Sequence, residues 1–238
     1  MIPFVSDVVQ LTRFLASKAD PYHDDHGRFA TASAGHYGSA EESDSGGLAG
    51  SDEERNTHLL GLYKKMTKGL SREQKNAIVQ YTSSLYDMFN RSLREKTALP
   101  AKYAQMIKAA TEGLNRGEAP VAFSVSRGIK LPDEATAKSV FQELERNVGK
   151  SFTDPAFVST TSDDESSFGD TMKFVIHVPK GAKGLYVESI SEGKDEHEFL
   201  IPPGSKFKVL GTGKNQYGIR TVTLGLAKSE NAKKKYLT

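Results

Sequence analysis

The 238-residue chain contains no cysteine, which excludes disulfides, thiolate metal sites and a cysteine nucleophile in any compartment. It carries little net charge. Its 32 basic side chains against 30 acidic ones leave a formal +2, so bulk electrostatics proposes neither nucleic acid nor a membrane surface as a partner. No apolar run approaches the ~18 residues that a bilayer span requires. Hydrophobic residues make up 37% and the mean hydropathy is -0.49, so part of the length is expected to lie outside any core. The 12 phenylalanines and 9 tyrosines still supply material for a packed sheet. A chain of this length holds one large domain, or one domain with an appendage.

The opening stretch, "MIPFVSDVVQLTRFLASKAD", lacks the basic start and continuous apolar centre of a secretory leader, because Asp7, Gln10 and Arg13 interrupt it. Phe4, Val5, Val8, Leu11 and Leu15 fall at helical spacing and predict an amphipathic helix over residues 1–19. Such a helix suits docking on the main domain, contact with a partner, or an address. Residues 20–54 are rich in Gly, Ser, Ala and Asp without a period, and predict a flexible linker. His23 and His26 flank two aspartates there, but a loose chain does not pre-organise metal ligands, and no metal is expected.

From Ser51 a helical period begins, with Leu59, Leu60, Tyr63 and Met66 on one stripe. Ser71, with Gln74 three positions on, has the signature of a helix start. Behind it Ile78, Tyr81, Leu85, Met88, Phe89 and Leu93 recur at three- and four-residue steps. A third helix over 101–115 ends near Gly117, followed by a strand in "APVAFSVSRGI" and a helix in "PDEATAKSVFQELERNVG". Past Gly149 come short alternating runs: "DPAFVSTTS", "TMKFVIHVP", "GLYVESI", "EFLIPPG", "KFKVLG" and "IRTVTLGLA". Helices first and strands after indicate an α+β fold and not a doubly wound α/β domain. The tail, 227–238, is basic, and Lys233, Lys234 and Lys235 are expected to be solvated.

Four stretches stand out where an element meets a turn. Arg127 ends a strand beside Gly128, where a guanidinium can fork onto a phosphate while the backbone approaches closely. An ordinary surface arginine is the plain alternative. Ser159, Thr160, Thr161 and Ser162 close another strand, and hydroxyls there can hold a carboxylate or a sugar hydroxyl, or simply form a turn. In "DEHEFLIPPGSKFKV", Glu196 and Glu198 at i and i+2 of a strand would share one face about 7 Å apart. Two such carboxylates suit chemistry in which positive charge develops on a sugar carbon; a polar strand edge is the alternative. His197 would face the other way, as a structural or solvated residue. In "YTSSLYDMFNRSLR", Tyr81 and Tyr86 lie on a helix, where core packing is the ordinary role for aromatics.

In the order helix, Arg-Gly, Ser-Thr-Thr-Ser, Glu-x-Glu, with "NRSLR" closing the helix and "LIPPGSKFKV" after the glutamates, residues 55–226 resemble the arginine–serine–glutamate class of mono-ADP-ribosyltransferases, the toxin-like enzymes. The resemblance implies a split, strongly twisted β-sandwich with flanking helices and NAD bent in a central cleft. It implies that Arg127 holds an NAD phosphate and that Gly128 meets the nicotinamide amide through its backbone. Ser159 would support the catalytic Glu198, which would bond the ribose 2′-hydroxyl, and Glu196 would face the nucleophile. Tyr81, Tyr86, Asn90 and Thr160 join the implied NAD-contacting set, and Phe168 is placed either to stack on nicotinamide or to pack in the core. Glutamate at 196, where relatives with other acceptors carry glutamine, implies an arginine acceptor on a target protein. The middle motif departs from the family's Ser-Thr-Ser, which leaves the third hydroxyl unassigned. The loop "SISEGKDE" lacks the aromatic residue that often grips the target.

NAD is thus the expected substrate, with no metal, no membrane and a monomeric enzyme, while an RNA acceptor stays open. The alternatives are an NAD glycohydrolase and a non-catalytic virion component that has kept the fold. The segment "DPYHDDHGRFATAS" resembles segments of tailed-phage head proteins. It implies an enzyme carried in the virion and delivered into a bacterial host cytoplasm, with a secreted effector or polymorphic toxin as the rival.

Overall fold

Two serine caps set the helical layer. Ser51 and Ser71 each accept from the backbone three residues on, while Glu54 and Gln74 reach back to the cap's own N–H, so each helix start satisfies its orphan donors reciprocally. The computed structural model describes residues 51–163, 171–191, 193, 196–215 and 217–228. The expected N-terminal helix, nearly all of the linker, Phe168, and Lys233, Lys234 and Lys235 of the tail lie outside the described residues.

Helix α1 (Asp52–Lys68) buries Asn56, Leu59, Tyr63 and Thr67, one side chain per turn. Its stripe is narrower than expected. Leu60 points outward, because the helix meets the rest of the molecule along a single i, i+4 line. Helix α2 (Arg72–Gln80) passes through one π turn, Tyr81–Leu85, into α3 (Tyr86–Glu95). The sequence pattern reads as continuous helix, but the extra residue of a π turn rotates everything after it. Lys96, at φ 56°, ends α3 with a left-handed cap. Helix α4 (Ala101–Arg116) packs on α2 through Gly113, where a side-chain carbon would sit 3.2 Å from Ile78 Cδ1. No helix among the described residues is long and apolar enough to cross a membrane.

The strands follow as β1 (Phe123–Ile129), β2 (Ser151–Asp154), β3 (Val158–Thr161), β4 (Met172–Val178), β5 (Leu185–Tyr186), β6 (Glu198–Ile201), β7 (Ser205–Lys214) and β8 (Arg220–Leu226). Helix α5 (Glu134–Arg146) lies between β1 and β2, capped by Asp133. The sheet order is β2-β7-β8-β4-β1-β3-β6-β5. It is an α+β fold, as the helix-then-strand order predicts. Among the described residues, β4 and β8 are the one pair of neighbouring strands that runs parallel. Strands β1 and β4 share seven registered pairs, whereas β1 and β3 share one, Ser126 with Thr161. Five strands and three strands therefore separate at that junction, and the sheet is split there.

Two strand expectations change. "GLYVESI" pairs only at Leu185 and Tyr186, because after Val187 the chain turns, with Ile190 and Ser191 N–H both donating back to the Val187 carbonyl. Strand β6 begins at Glu198, not before it, so Glu196 is not on a strand and the same-face argument for the two glutamates does not apply. His197, at φ 50°, breaks the extended path between them.

β6 is anchored from its other face by Phe199, fully buried with its ring edge-on to Tyr63 at 5.9 Å and to Phe123 at 5.1 Å. Phe199→Ala is expected to cost about 3–5 kcal/mol, as for other large-to-small changes in a packed core. Urea denaturation checks this.

Candidate active site

β1, β3 and β6 are neighbours in the sheet, and they bring the Arg127, Ser159 and Glu198 segments together. Arg127, 9% exposed, donates from Nη1 to the Ser159 carbonyl at 3.1 Å, across the point where the sheet splits. Antiparallel register sets Glu198 opposite Thr161 and Leu200 opposite Ser159, so Ser159 is a diagonal neighbour of Glu198 on one face.

The Ser159 hydroxyl is oriented by a buried chain of side chains. The Phe157 N–H donates to Asn90 Oδ1 at 3.1 Å, which turns the Asn90 amide nitrogen toward Tyr81. Asn90 Nδ2 donates to the Tyr81 hydroxyl at 3.0 Å, so the phenol's own proton is left for Ser159 Oγ, 3.2 Å away. With Ser159 accepting from Tyr81, its proton is available for Glu198. Tyr81 and Asn90 are thus placed behind the serine, at 1% and 2% exposure, rather than on an open surface. The π turn starts at Tyr81 and precedes Asn90, and sets the angular offset between them. Tyr86 is half-buried against the core, and Gly128 is buried in β1 opposite Lys173.

The remaining hydroxyls of the Ser-Thr-Thr-Ser stretch hold the backbone around the glutamates. Thr160 donates to the Phe199 carbonyl at 2.6 Å on the face away from Ser159. Thr161 donates to the Glu196 carbonyl at 3.0 Å. Ser162 meets the His197 carbonyl through both its N–H and its hydroxyl, at 3.0 and 3.2 Å.

Glu198 has no solvent exposure, and among the described residues neither carboxylate oxygen accepts a hydrogen bond of ordinary geometry. Burial pushes its pKa up to about 8, reinforced by the charge of Glu196; the nearby Ser159 hydroxyl pulls the other way, Glu188 adds repulsion, and Arg127 offsets part of it. Glu196 is 6% exposed, and the His197 N–H donates to Glu188 Oε2 at 2.9 Å. Glu188 escaped the sequence pattern because an acid in a short irregular run carries no period and no motif. No group of three or more His, Asp or Glu able to hold a metal ion occurs among the described residues.

A buried carboxyl, Glu198, thus lies within the field of a buried guanidinium, Arg127, at the split between the sheet halves. The family model for the ADP-ribosyltransferase exoenzyme domain matches residues 60–237. This chain belongs to that family. Its relatives include the NAD(+)--arginine ADP-ribosyltransferase EFV of Enterococcus faecalis, 28% identical over 151 residues, covering 61% of this chain and 30% of that protein. The NAD(+)--protein-arginine ADP-ribosyltransferase Tre1 of Pseudomonas putida is 28% identical over 142 residues, covering 59% and 26%. The chain thus spans less than a third of the length of the curated relatives it matches. Among solved structures, Plx2a, an ADP-ribosyltransferase toxin from Paenibacillus larvae, superposes with TM-score 0.66 at 18% identity, covering 74% of this chain and 96% of that one. The Clostridium limosum C3 exoenzyme gives TM-score 0.64 at 20% identity, with 73% and 95% covered. At such identities the superpositions establish a shared ADP-ribosyltransferase toxin fold.

In this ADP-ribosyltransferase exoenzyme domain the raised Glu198 pKa has a direct consequence for stability. Between the ordinary carboxyl pKa of 4.5 and about 8, the unfolded chain is ionised while the folded one keeps its proton. Stability therefore falls as pH rises across that window and is level above it, by ~1.4 kcal/mol per pH unit. Glu198→Gln removes the titration. Its stability relative to the native chain should rise between pH 4 and pH 8.5 by on the order of 4 kcal/mol, read from denaturation midpoints.

Proposed function

We propose that this domain cleaves NAD at the nicotinamide–ribose bond and transfers ADP-ribose to an arginine side chain of a target protein. The observation that carries this is the buried Glu198 carboxyl, whose oxygens accept no hydrogen bond of ordinary geometry from the described residues, within the field of Arg127 and beside Ser159. Such a carboxylate suits a cationic group that brings hydroxyl donors, and the nicotinamide ribose is one. Arg127 would hold phosphate, and Gly128 would meet the nicotinamide amide through its backbone. The names of the relatives, which specify arginine, support the acceptor class.

When the C1′–N1 bond breaks, its electron pair stays on the ring nitrogen and nicotinamide leaves neutral. Positive charge then develops on C1′ and the ring oxygen. A fixed carboxylate in a water-poor site stabilises that charge more than it stabilises ground-state NAD. The arriving nicotinamide ring is itself cationic, so it favours the ionised form of Glu198, and NAD binding below pH 8 should release a proton. A guanidinium nitrogen forms the new bond to C1′ and loses one proton. With its pKa above ~12, it needs a carboxylate to pair its charge and receive that proton, and Glu196 takes this role.

We also place the enzyme in a phage particle that delivers it into a bacterial cytoplasm, a proposal supported by the Gly27-Arg28-Phe29 segment. Mass spectrometry of particles released by the source strain checks this, and absence from them would leave the secreted-effector route.

Incubation with labelled NAD and a protein acceptor should label arginine. Glu198→Ala should lower both labelling and nicotinamide release ~100-fold or more, while Glu196→Gln should lower labelling far more than release. Undiminished labelling by Glu198→Ala would remove the assignment. Glu198 must be ionised, so kcat/KM for NAD cleavage should climb ~10-fold per pH unit and level off above about 8. In Glu196→Gln that limb should move to lower pH, because the second cause of the raised pKa is gone.

A further inference from the structure

Glu196 lies outside the strand ladder, so sheet pairing does not fix where its carboxylate sits. Its place is set by two other features of the fold.

The first is the backbone at His197. Its φ of 50° is unusual for a residue with a side chain, and among the described non-glycine residues only Lys96, at a helix end, shares it. Both peptide groups of His197 are gripped. Its N–H donates to Glu188 Oε2 at 2.9 Å, and its carbonyl receives Ser162 N and Oγ at 3.0 and 3.2 Å. Ser162 Oγ also meets the Asn56 side chain of α1, which ties the turn to the helical layer. One residue earlier, the Glu196 carbonyl receives Thr161 Oγ1. The left-handed turn is therefore imposed from the β5 side by Glu188 and from the β3 side by Ser162.

The second is Gly193, whose N–H donates to Ser191 Oγ at 3.2 Å. A side-chain carbon at Gly193 would overlap Glu196 Oε1 and Cδ, and would lie 2.8 Å from Oε2. The Glu196 carboxylate thus rests directly on the glycine, in space that any other residue would fill. The atoms in conflict are the far end of a flexible side chain. A methyl there would displace the carboxylate and leave the fold in place.

Resting on the arginine-transfer reading above, we propose that Gly193 and the Glu188–His197–Ser162 clamp are positioning residues for Glu196, and that they set how NAD cleavage divides between transfer to arginine and hydrolysis. Bond breaking is the same in both outcomes: the C1′–N1 pair leaves with nicotinamide, and Glu198 steadies the ribosyl carbon. The outcomes differ in what forms the next bond to C1′. A guanidine nitrogen loses its proton to a correctly placed Glu196 and gives ADP-ribosylated acceptor; water loses a proton to solvent and gives free ADP-ribose. Moving the Glu196 carboxylate removes the partner of the guanidinium and leaves water unhindered.

The test uses the full chain, NAD and agmatine as a small guanidine acceptor, measuring ADP-ribosyl-agmatine and nicotinamide release together. Gly193→Ala is expected to lower agmatine modification about tenfold or more, while nicotinamide release without acceptor changes less than about twofold. Two His197 variants separate a backbone role from a ring role. His197→Gly adopts the left-handed turn without strain and should retain transfer, whereas His197→Val resists it and should shift products toward free ADP-ribose. Glu188→Gln and Ser162→Ala should shift products in the same sense as Gly193→Ala. A native ratio of products in Gly193→Ala, or an equal fall in both, overturns the proposal. If the native chain releases nicotinamide but modifies neither agmatine nor protein, the arginine-acceptor reading falls and this inference falls with it. Transfer by the native chain with an unchanged ratio in every variant removes this inference alone.

Discussion

The burial of one ionisable carboxyl is the constraint on which the rest of the structure depends. Glu198 opens β6 with no solvent exposure and with Glu196 and Glu188 adding negative charge around it. In water that carboxyl would be ionised at neutral pH without cost; inside the sheet it holds its proton until about pH 8. The fold tolerates it because β6 is secured elsewhere. Phe199 packs into an aromatic cluster on the opposite face, and β3 and β5 flank the strand on both sides. A cost of this kind in the resting form suits the transition-state role proposed for Glu198.

Arg127 and the split of the sheet belong to the same arrangement. β1 and β3 do not form a continuous ladder. With a single registered pair there, the strands diverge, and the Arg127 guanidinium crosses to the Ser159 carbonyl instead of leaving that carbonyl unpaired. One contact thus ties the two sheet halves and brings a permanent positive charge into the site. Beside it, the four hydroxyls of residues 159–162 divide their work. Ser159 is aimed through Tyr81 and Asn90, and the other three hold carbonyls of residues 196, 197 and 199. The departure from a three-residue motif adds a contact at His197.

Helical caps and periodicities were legible in the sequence because they are local. Ser51 and Ser71 cap helices for reasons contained within four residues. Strands β4, β7 and β8 follow from alternation, whereas β3 and β6 are buried at every position and β5 pairs only at Leu185 and Tyr186. The π turn at Tyr81 was not legible, since YTSSL reads as ordinary helix; packing of Tyr81 against Phe89 and Phe157 accompanies the shift. The glutamate pair was legible as a pair but not in its geometry. Alternation assumes an extended backbone, and His197 is held out of that conformation by Glu188 and Ser162, residues 9 and 35 positions away.

By itself the sequence determined the α+β class, the order of the elements apart from β2 and the π turn, and the residue types available for charge and hydroxyl chemistry, because these depend on neighbours within a turn or two. Only the tertiary structure decided that β1, β3 and β6 lie side by side, that Glu198 is cut off from water, and that Gly193 makes room for Glu196. Those depend on which distant segments exclude solvent from one another. Desolvation is a property of the assembled surroundings and of no residue alone.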